Sequence, residues 1–275
     1  MSIKLIAFDL DGTFLDDSKN IPEENIRALK EAAARGIYIV PATGRLALGV
    51  PEPIRSLPFM RYYLTVNGAY IYDACEDRII RRAELSAEAA VEIMEYLNTL
   101  PVIYDCYKDN WGFMTRSMYD CAGEYITNPG IMKLVRELRT PVDSLYEMTR
   151  SLGEPLQKLQ LYTKDPQQNK AALMAELKRR FPGASITSSL PFNIEINDAR
   201  AGKGKALLGL CEYLGIDPAD TMAFGDGSND TEMIAAAGIG VAMANAEEDV
   251  KAAADYITDS NNDAGVAKAI WKFAL

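Results

Sequence analysis

The strongest constraint on the fold is an apolar run near the amino terminus that stops at two aspartates. Ile3 to Leu10 is nearly continuous in apolar residues, which is typical of a strand buried on both faces of a parallel sheet. Pro22 suits the first position of a helix, and Gly36 suits the left-handed residue that ends one. A second apolar run, Ile37 to Val40, follows. The order strand, helix, strand predicts an α/β fold whose ligands bind at the carboxyl ends of the strands.

The same alternation returns late in the chain, and a different pattern lies between the two α/β segments. A helix is predicted over Lys203 to Leu214, closed by Gly215, with strands and a helix after it. The middle of the chain changes to a helix, two short aromatic strands and a further strand-helix-strand stretch. The length of 275 residues suits two domains. We therefore expect a discontinuous α/β core domain over residues 1–83 and 193–275, and an inserted α+β domain over residues 84–192.

Composition excludes several classes of function. The chain has 29 Lys and Arg against 39 Asp and Glu, and its net charge of -10 disfavours nucleic acid as a partner. It contains no His, so a Ser-His-Asp triad, a Cys-His dyad and a His-ligated zinc site are excluded. Its 4 cysteines form no Cys-x-x-Cys pair, and neither a signal peptide nor a membrane-spanning apolar run is visible. We expect a cytoplasmic protein with no membrane partner.

Two aspartates follow the first apolar run and are the first candidates for chemistry. Asp9 and Asp11 stand two positions apart in the segment Asp9-Leu10-Asp11-Gly12. Carboxylates this close repel each other unless a cation or a shared proton lies between them. An isolated Asp-x-Asp pair is often only a solvated acidic turn, but Gly12 and the buried strand before the pair argue against that here.

Two further segments offer contacts for an anion. Thr43 and Gly44 close the second strand, where a hydroxyl and a backbone amide can donate to a phosphate oxygen, although Thr-Gly is also ordinary turn material. Lys203 stands between glycines at the start of a predicted helix. Its ammonium and the free amides of the helix start would suit an anion, and the alternative is a lysine that faces solvent.

A last segment, Gly225-Asp226-Gly227-Ser228-Asn229-Asp230, follows another buried strand. Asp226 and Asp230 offer hard oxygen ligands of the kind that divalent cations prefer. Asn229 or Asp230 could equally cap the helix that follows, and the two roles are compatible.

In chain order these segments present Asp-x-Asp, Thr, Lys and Asp-x-x-x-Asp, which resembles the four motifs of the haloacid dehalogenase superfamily. Val66-Asn67-Gly68-Ala69, the run from Gly240 to Ala246, and Gly265-Val266-Ala267 resemble its Cof-type branch, subclass IIB. That branch carries a large cap domain between its second and third motifs. The resemblance covers essentially the whole chain, and its departures touch no reacting group; they lie at Pro41, Ala244 and Ala264.

The resemblance implies a Rossmann-like core, a parallel sheet flanked by helices, with the inserted α+β domain as its cap. It implies that Asp9 is a nucleophile that forms an aspartyl-phosphate, and that Asp11 is the general acid and then the general base. Mg²⁺ would be held by Asp9, by the backbone carbonyl of Asp11 and by Asp226, with Asp230 supporting them. The phosphate would be bound by four residues, Thr43, Gly44, Lys203 and Asn229.

The implied function is that of a Mg-dependent phosphatase acting on a small-molecule phosphate ester, such as a sugar phosphate or a phosphorylated cofactor. The cap would close over the active site and select the ester. One alternative is a phosphomutase of the same superfamily, which returns the phosphoryl group instead of releasing it. Another is a non-catalytic phosphate-sensing regulatory protein, which the presence of every reacting group disfavours. No protein partner is indicated.

Overall fold

The computed structural model describes residues 2–164, 166–189 and 192–275. Its strands are β1 (Leu5–Phe8), β2 (Tyr38–Pro41), β3 (Tyr62–Thr65), β4 (Tyr70–Asp73), β5 (Arg78–Arg82), β6 (Val102–Lys108), β7 (Trp111–Thr115), β8 (Arg139–Val142), β9 (Lys158–Thr163), β10 (Ala184–Thr187), β11 (Asn193–Asp198), β12 (Thr221–Gly225), β13 (Ile239–Ala242) and β14 (Tyr256–Ile257). Its helices are α1 (Glu23–Ala34), α2 (Glu52–Arg55), α3 (Ala87–Leu97), α4 (Arg116–Asp120), α5 (Pro129–Leu138), α6 (Leu145–Leu152), α7 (Pro166–Arg180), α8 (Lys203–Leu214), α9 (Thr231–Ala236), α10 (Glu248–Ala253) and α11 (Gly265–Phe273).

Contacts divide the chain into two compact units. The α/β unit comprises Met1–Arg45, Val50–Arg82 and Gly202–Leu275. The inserted unit comprises Leu46–Gly49 and Ala83–Ala201. In the part of the chain that the structure describes, no helix combines the length and the apolar character needed to cross a bilayer.

The α/β unit is built on a parallel sheet with the strand order β14-β13-β12-β1-β2. β1 is buried along its whole length. Ile6 and Phe8 pack into one apolar cluster, whereas Leu5 and Ala7 pack into another. Because successive side chains of a strand point to opposite faces, both faces of the sheet are covered. The α/β class predicted from the apolar runs is confirmed.

The ends of two helices in this unit follow the predicted glycine signals. α1 is followed by Gly36, whose φ is 81°. α8 spans the predicted range and ends at Gly215, which is left-handed with φ 67°. Glycine adopts this conformation without the strain that a Cβ would add. A separate antiparallel sheet with the order β3-β4-β5, which the sequence did not predict, also belongs to the unit.

The inserted unit holds a mixed sheet with the order β10-β11-β9-β6-β7-β8. Its pairs are antiparallel except for β7 with β8. The predicted aromatic hairpin is β6 and β7, and its turn has two left-handed residues, Asp109 with φ 50° and Asn110 with φ 59°. Such turns match the twist of the paired strands. The expected α+β character of this segment is confirmed.

The carboxyl-terminal limit of the inserted unit differs from the expected one. The sequence placed residues 193–201 in the core domain, but β11 pairs with β9 and β10. Ile194 and Ile196 of β11 belong to the apolar cluster of the inserted unit. The unit therefore extends to Ala201. An apolar alternation identifies a strand without telling which sheet it joins, and this is why the boundary was misplaced by nine residues.

Candidate active site

The predicted site residues follow neighbouring parallel strands at one edge of the α/β sheet. Asp9 comes directly after β1, and its backbone N–H donates to the carbonyl of Phe224 in β12 at 3.0 Å. Asp226 comes directly after β12. On the other side, the N–H of Ala42 donates to the carbonyl of Phe8 at 2.8 Å, and Thr43 comes next. The carboxyl ends of three adjacent strands thus present two carboxylates and a hydroxyl, as the α/β pattern predicted.

Lys203, the first residue of α8, points into this site and not to solvent. Its Nζ lies 2.6 Å from Asp9 Oδ1 and 2.6 Å from Asp230 Oδ1, and the residue is 1% exposed. Burial alone would lower the pKa of Lys203, but the carboxylates of Asp230 and Asp9 raise it above its ordinary value. The side chain is therefore an ammonium shared between two carboxylates.

Three carboxylates converge on one point. Asp9, Asp226 and Asp230 each offer an oxygen, and these atoms lie within 4.8 Å of one another. Burial, opposed by Lys203 and reinforced by the neighbouring carboxylates, raises the pKa of Asp9 well above its usual range. Burial and the charge of Asp230 raise the pKa of Asp226 to about 7. The single charge of Lys203 does not neutralise three carboxylates. The carboxylate oxygens are hard ligands, and they fit a divalent cation.

The loop after β12 holds two members of this group in place. Asp230 Oδ2 accepts hydrogen bonds from the backbone N–H groups of Asp226 and Gly227, each at 3.1 Å. Thr13 Oγ1 donates to Asp226 Oδ1 at 2.7 Å. Gly12 has φ 84°, and a Cβ at this position would collide with the Asp226 carboxylate. Asp230 therefore orders the loop amides through Oδ2 while its Oδ1 contacts Lys203.

Asp11 is paired with two cations of its own, Arg45 and Lys19. Arg45 Nε lies 2.7 Å from Asp11 Oδ2, and Arg45 Nη2 lies 2.7 Å from Oδ1. Lys19 Nζ lies 2.8 Å from Oδ1. Burial acts to raise the pKa of Asp11, but Arg45 and Lys19 together hold it well below its ordinary value. The two aspartates of the Asp-x-Asp pair thus have different partners: Asp9 pairs with Lys203, and Asp11 pairs with Arg45.

Sequence reasoning missed both of these cations. Arg45 directly follows the Thr43-Gly44 pair, so a signal was available in the segment itself. Lys19 lies in a turn eight residues beyond Asp11, and no spacing rule identifies it.

The residues expected to bind phosphate lie on interlocked loops. Thr43 is 1% exposed, and its Oγ1 accepts the N–H of Arg45 at 3.1 Å, which leaves the hydroxyl its own hydrogen to donate. Gly44 lies between them and is half-buried. Asn229 Nδ2 donates to Asn67 Oδ1 at 3.2 Å. Asn67, whose own N–H donates to the Thr43 carbonyl at 3.0 Å, connects the two loops.

This arrangement combines a buried carboxylate paired with an ammonium, a separate carboxylate held by a guanidinium, and a hydroxyl with a hydrogen to donate. Such a set suits the transfer of a group that carries negative charge, because cations and donors surround the place where a carboxylate can attack.

Comparison with known proteins identifies the family of the chain. A family model described as haloacid dehalogenase-like hydrolase matches residues 6–270. A 5-amino-6-(5-phospho-D-ribitylamino)uracil phosphatase of Bacillus subtilis is 34% identical over 279 residues, which cover 100% of this chain and 97% of that protein. A second protein of that description from the same organism is 32% identical over 283 residues and covers 96% of each chain. The solved structure of a haloacid dehalogenase-like hydrolase from B. subtilis superimposes with a TM-score of 0.83 at 29% identity, covering 99% of this chain and 100% of that one.

Proposed function

The chain belongs to the haloacid dehalogenase-like hydrolases and is a phosphatase, and from that premise we propose that it is a Mg-dependent phosphomonoesterase of small phosphorylated metabolites that acts through an aspartyl-phosphate. The observation that carries the proposal is the uncompensated carboxylate group at the sheet edge, in which Asp9 lies 2.6 Å from Lys203 and close to Asp226 and Asp230. A buried, negatively charged group of this kind suits a cation and a phosphate together.

Asp9 is the nucleophile in this proposal. Its carboxylate oxygen forms a bond to phosphorus while the bond from phosphorus to the ester oxygen breaks. Lys203 fixes the orientation of the Asp9 carboxylate and stabilises charge on the transferring group. A Mg²⁺ ion held by Asp9, the backbone carbonyl of Asp11 and Asp226, with Asp230 beside them, would supply the remaining positive charge.

Asp11 moves the protons. It donates one to the departing ester oxygen and then takes one from the water that hydrolyses the aspartyl-phosphate. Arg45 and Lys19 favour its ionised form, which the second of these steps requires. For the first step Asp11 takes up a proton from solvent when the substrate binds, and this is the proton that it passes to the departing oxygen. The phosphate oxygens are held by the hydroxyl of Thr43, the amide of Gly44, Lys203 and Asn229.

The relatives suggest which substrate to test first. Two of them, each covering nearly the whole of this chain, are described as 5-amino-6-(5-phospho-D-ribitylamino)uracil phosphatases. We therefore put this phosphate ester of a sugar alcohol chain at the head of the candidates.

The experiment is a screen for phosphate release from that compound, from sugar phosphates, from phosphorylated cofactors and from p-nitrophenyl phosphate, with Mg²⁺ or with EDTA. We expect release that requires Mg²⁺ and is lost in Asp9→Asn. A phosphomutase would give an isomeric phosphate with no net release. A regulatory phosphate-binding protein would leave p-nitrophenyl phosphate intact, and either result would contradict the proposal.

The inserted unit selects the ester in this account, because the α/β motifs contact only phosphate and metal. A chimera tests this assignment. In it, the segment from Ala83 to Ala201 is replaced by the matching segment of a related phosphatase. We expect the preferred substrate to change while Asp9→Asn still abolishes turnover. A folded, active chimera with the original preference would place selection in the α/β unit.

A further inference from the structure

We propose that Arg45 is a positioning residue that keeps the Asp11 carboxylate out of the metal-binding group and directed to the leaving oxygen. The inference rests on the proposed function, since it assigns Arg45 a part in the proton transfer by Asp11. Its basis is the paired contact of Arg45 Nε and Nη2 with the two oxygens of Asp11, at 2.7 Å each.

Asp11 needs a restraint because of its place in the sequence. A single residue separates Asp9 from Asp11 just beyond the end of β1, so both lie at the same edge of the sheet. Three carboxylates already share one site there, with oxygens within 4.8 Å of one another. A fourth carboxylate that joined them on a cation would no longer be available to protonate an ester oxygen. In the structure, Asp11 pairs with Arg45 instead.

Arg45 is suited to this task by its chemistry. Two parallel N–H bonds from one planar guanidinium fix both the position and the plane of a carboxylate. Lys19 gives Asp11 one bond from a flexible side chain that is 44% exposed, against 17% for Arg45. Lys19 adds charge, whereas Arg45 sets the geometry.

The backbone of Arg45 is itself anchored. Its N–H donates to Thr43 Oγ1 at 3.1 Å, and its carbonyl accepts the N–H of Val66 at 3.0 Å. Val66 and Asn67 are both left-handed, with φ 53° and 57°. Residues other than glycine rarely adopt this conformation, and it persists only where the surrounding contacts determine it. The guanidinium therefore extends from a loop with a defined shape.

The alternative role is that Arg45 binds the substrate phosphate directly. That role would affect every phosphate ester alike, whereas a residue that acts through Asp11 affects only esters whose leaving group needs a proton. The test measures kcat/KM, which reports on the steps up to phosphoryl transfer, for p-nitrophenyl phosphate and for the alkyl phosphate that the wild-type enzyme turns over fastest. The variants are Arg45→Gln, Asp11→Asn and the double variant, with Mg²⁺ at saturation.

We expect Arg45→Gln to lower kcat/KM for the alkyl phosphate by about 100-fold and for p-nitrophenyl phosphate by less than about threefold. The double variant should be no worse on the alkyl phosphate than Asp11→Asn alone, because Arg45 acts through Asp11. Equal losses on both esters, losses that multiply in the double variant, or unchanged or faster turnover of the alkyl phosphate would each overturn the inference.

Two further variants complete the experiment. Lys19→Gln removes a single bond to the same carboxylate and should give a smaller loss with the same ester selectivity. Arg45→Lys retains the charge without the paired contact, and it replaces Arg45→Gln in the experiment if that variant does not fold. It should show the same ester selectivity with a smaller loss of kcat/KM. If Asp11→Asn itself shows no ester selectivity, the general-acid assignment fails, and the inference fails with it. If Asp11→Asn is selective and Arg45→Gln is not, only the inference fails.

Discussion

Each unit buries a lysine among carboxylates, and the two lysines differ in how many carboxylates they neutralise. Lys158 of the inserted unit and Lys203 of the α/β unit are both 1% exposed. Lys158 Nζ lies 2.8 Å from Glu195 Oε1, one cation for one anion. Lys203 Nζ lies 2.6 Å from both Asp9 and Asp230, one cation for two anions.

The neighbours of each lysine extend the contrast. Near Lys158, Arg139 pairs with Asp105 at 2.8 Å, so that in the described part of the chain these two ion pairs match two cations with two carboxylates. Near Lys203, Asp226 adds a further carboxylate, and its pKa is raised to about 7 by burial and by Asp230. In a balanced cluster each buried charge has an opposite charge to pair with. An unbalanced one is stabilised further by a cation, and this is how a binding site differs physically from a structural network.

The largest expected effect comes from the unbalanced cluster, in which three carboxylates, those of Asp9, Asp226 and Asp230, surround the single cation of Lys203. Asp9→Asn should lower kcat by more than about a thousandfold, because an amide neither attacks phosphorus nor carries charge to a metal. Steady-state turnover of p-nitrophenyl phosphate with saturating Mg²⁺ measures the loss. Residual activity within about tenfold of the wild type, with the metal still bound, would remove Asp9 from the role of nucleophile.

The same chemical change in the two lysines should have opposite consequences. Lys203→Met should lower kcat/KM for p-nitrophenyl phosphate by at least about 100-fold, because the attacking carboxylate loses its partner. Lys158→Met should leave that value within about threefold and lower the free energy of unfolding by about 3–5 kcal/mol, because Glu195 stays buried without a cation.

Chemical denaturation and turnover of the two variants together test the contrast. The control is Glu176→Gln, which breaks the exposed ion pair with Arg179 and should change neither quantity measurably. The comparison fails if Lys158→Met loses activity as severely as Lys203→Met at equal amounts of folded protein.

Two glycines with nearly the same backbone conformation give a smaller effect. Gly12 has φ 84° and Gly36 has φ 81°. Gly12→Ala would push against the Asp226 carboxylate, whereas a Cβ at Gly36 meets nothing within 4 Å. Both changes should cost about 1 kcal/mol of unfolding free energy from the left-handed backbone. Only Gly12→Ala should raise the Mg²⁺ concentration needed for half-maximal activity, and an equal Mg²⁺ dependence in both variants would argue against Asp226 as a ligand.

The α/β unit was predictable where local signals decide the structure. The continuous apolar run predicted β1, and the glycines at positions 36 and 215 predicted the ends of α1 and α8. The sheet β3-β4-β5 was not predicted, although Asn67-Gly68, a dipeptide typical of hairpin turns, lies between β3 and β4. The assignment of β11 failed because strand pairing is a long-range choice that alternation does not encode.

The candidate site was predictable as a set of residues and not as a set of contacts. Motif order pointed to Asp9, Thr43, Lys203 and Asp226, and the structure places them on adjacent elements of one unit. The contact between Asp11 and Arg45 joins residues 34 positions apart. Whether two such charges pair depends on how the strands bring their loops together, which becomes visible only in the folded chain.

The central claim, that the unbalanced cluster carries out phosphoryl transfer through Asp9, is tested most directly by trapping the covalent intermediate. The enzyme is mixed with Mg²⁺ and excess substrate, quenched in acid within one turnover and treated with borohydride, which reduces an acyl phosphate to an alcohol. Peptide mass spectrometry should then find homoserine at position 9, and none when substrate is omitted or when the enzyme is Asp9→Asn. Reduction at another carboxylate, or an unmodified Asp9 during active turnover, would contradict the account.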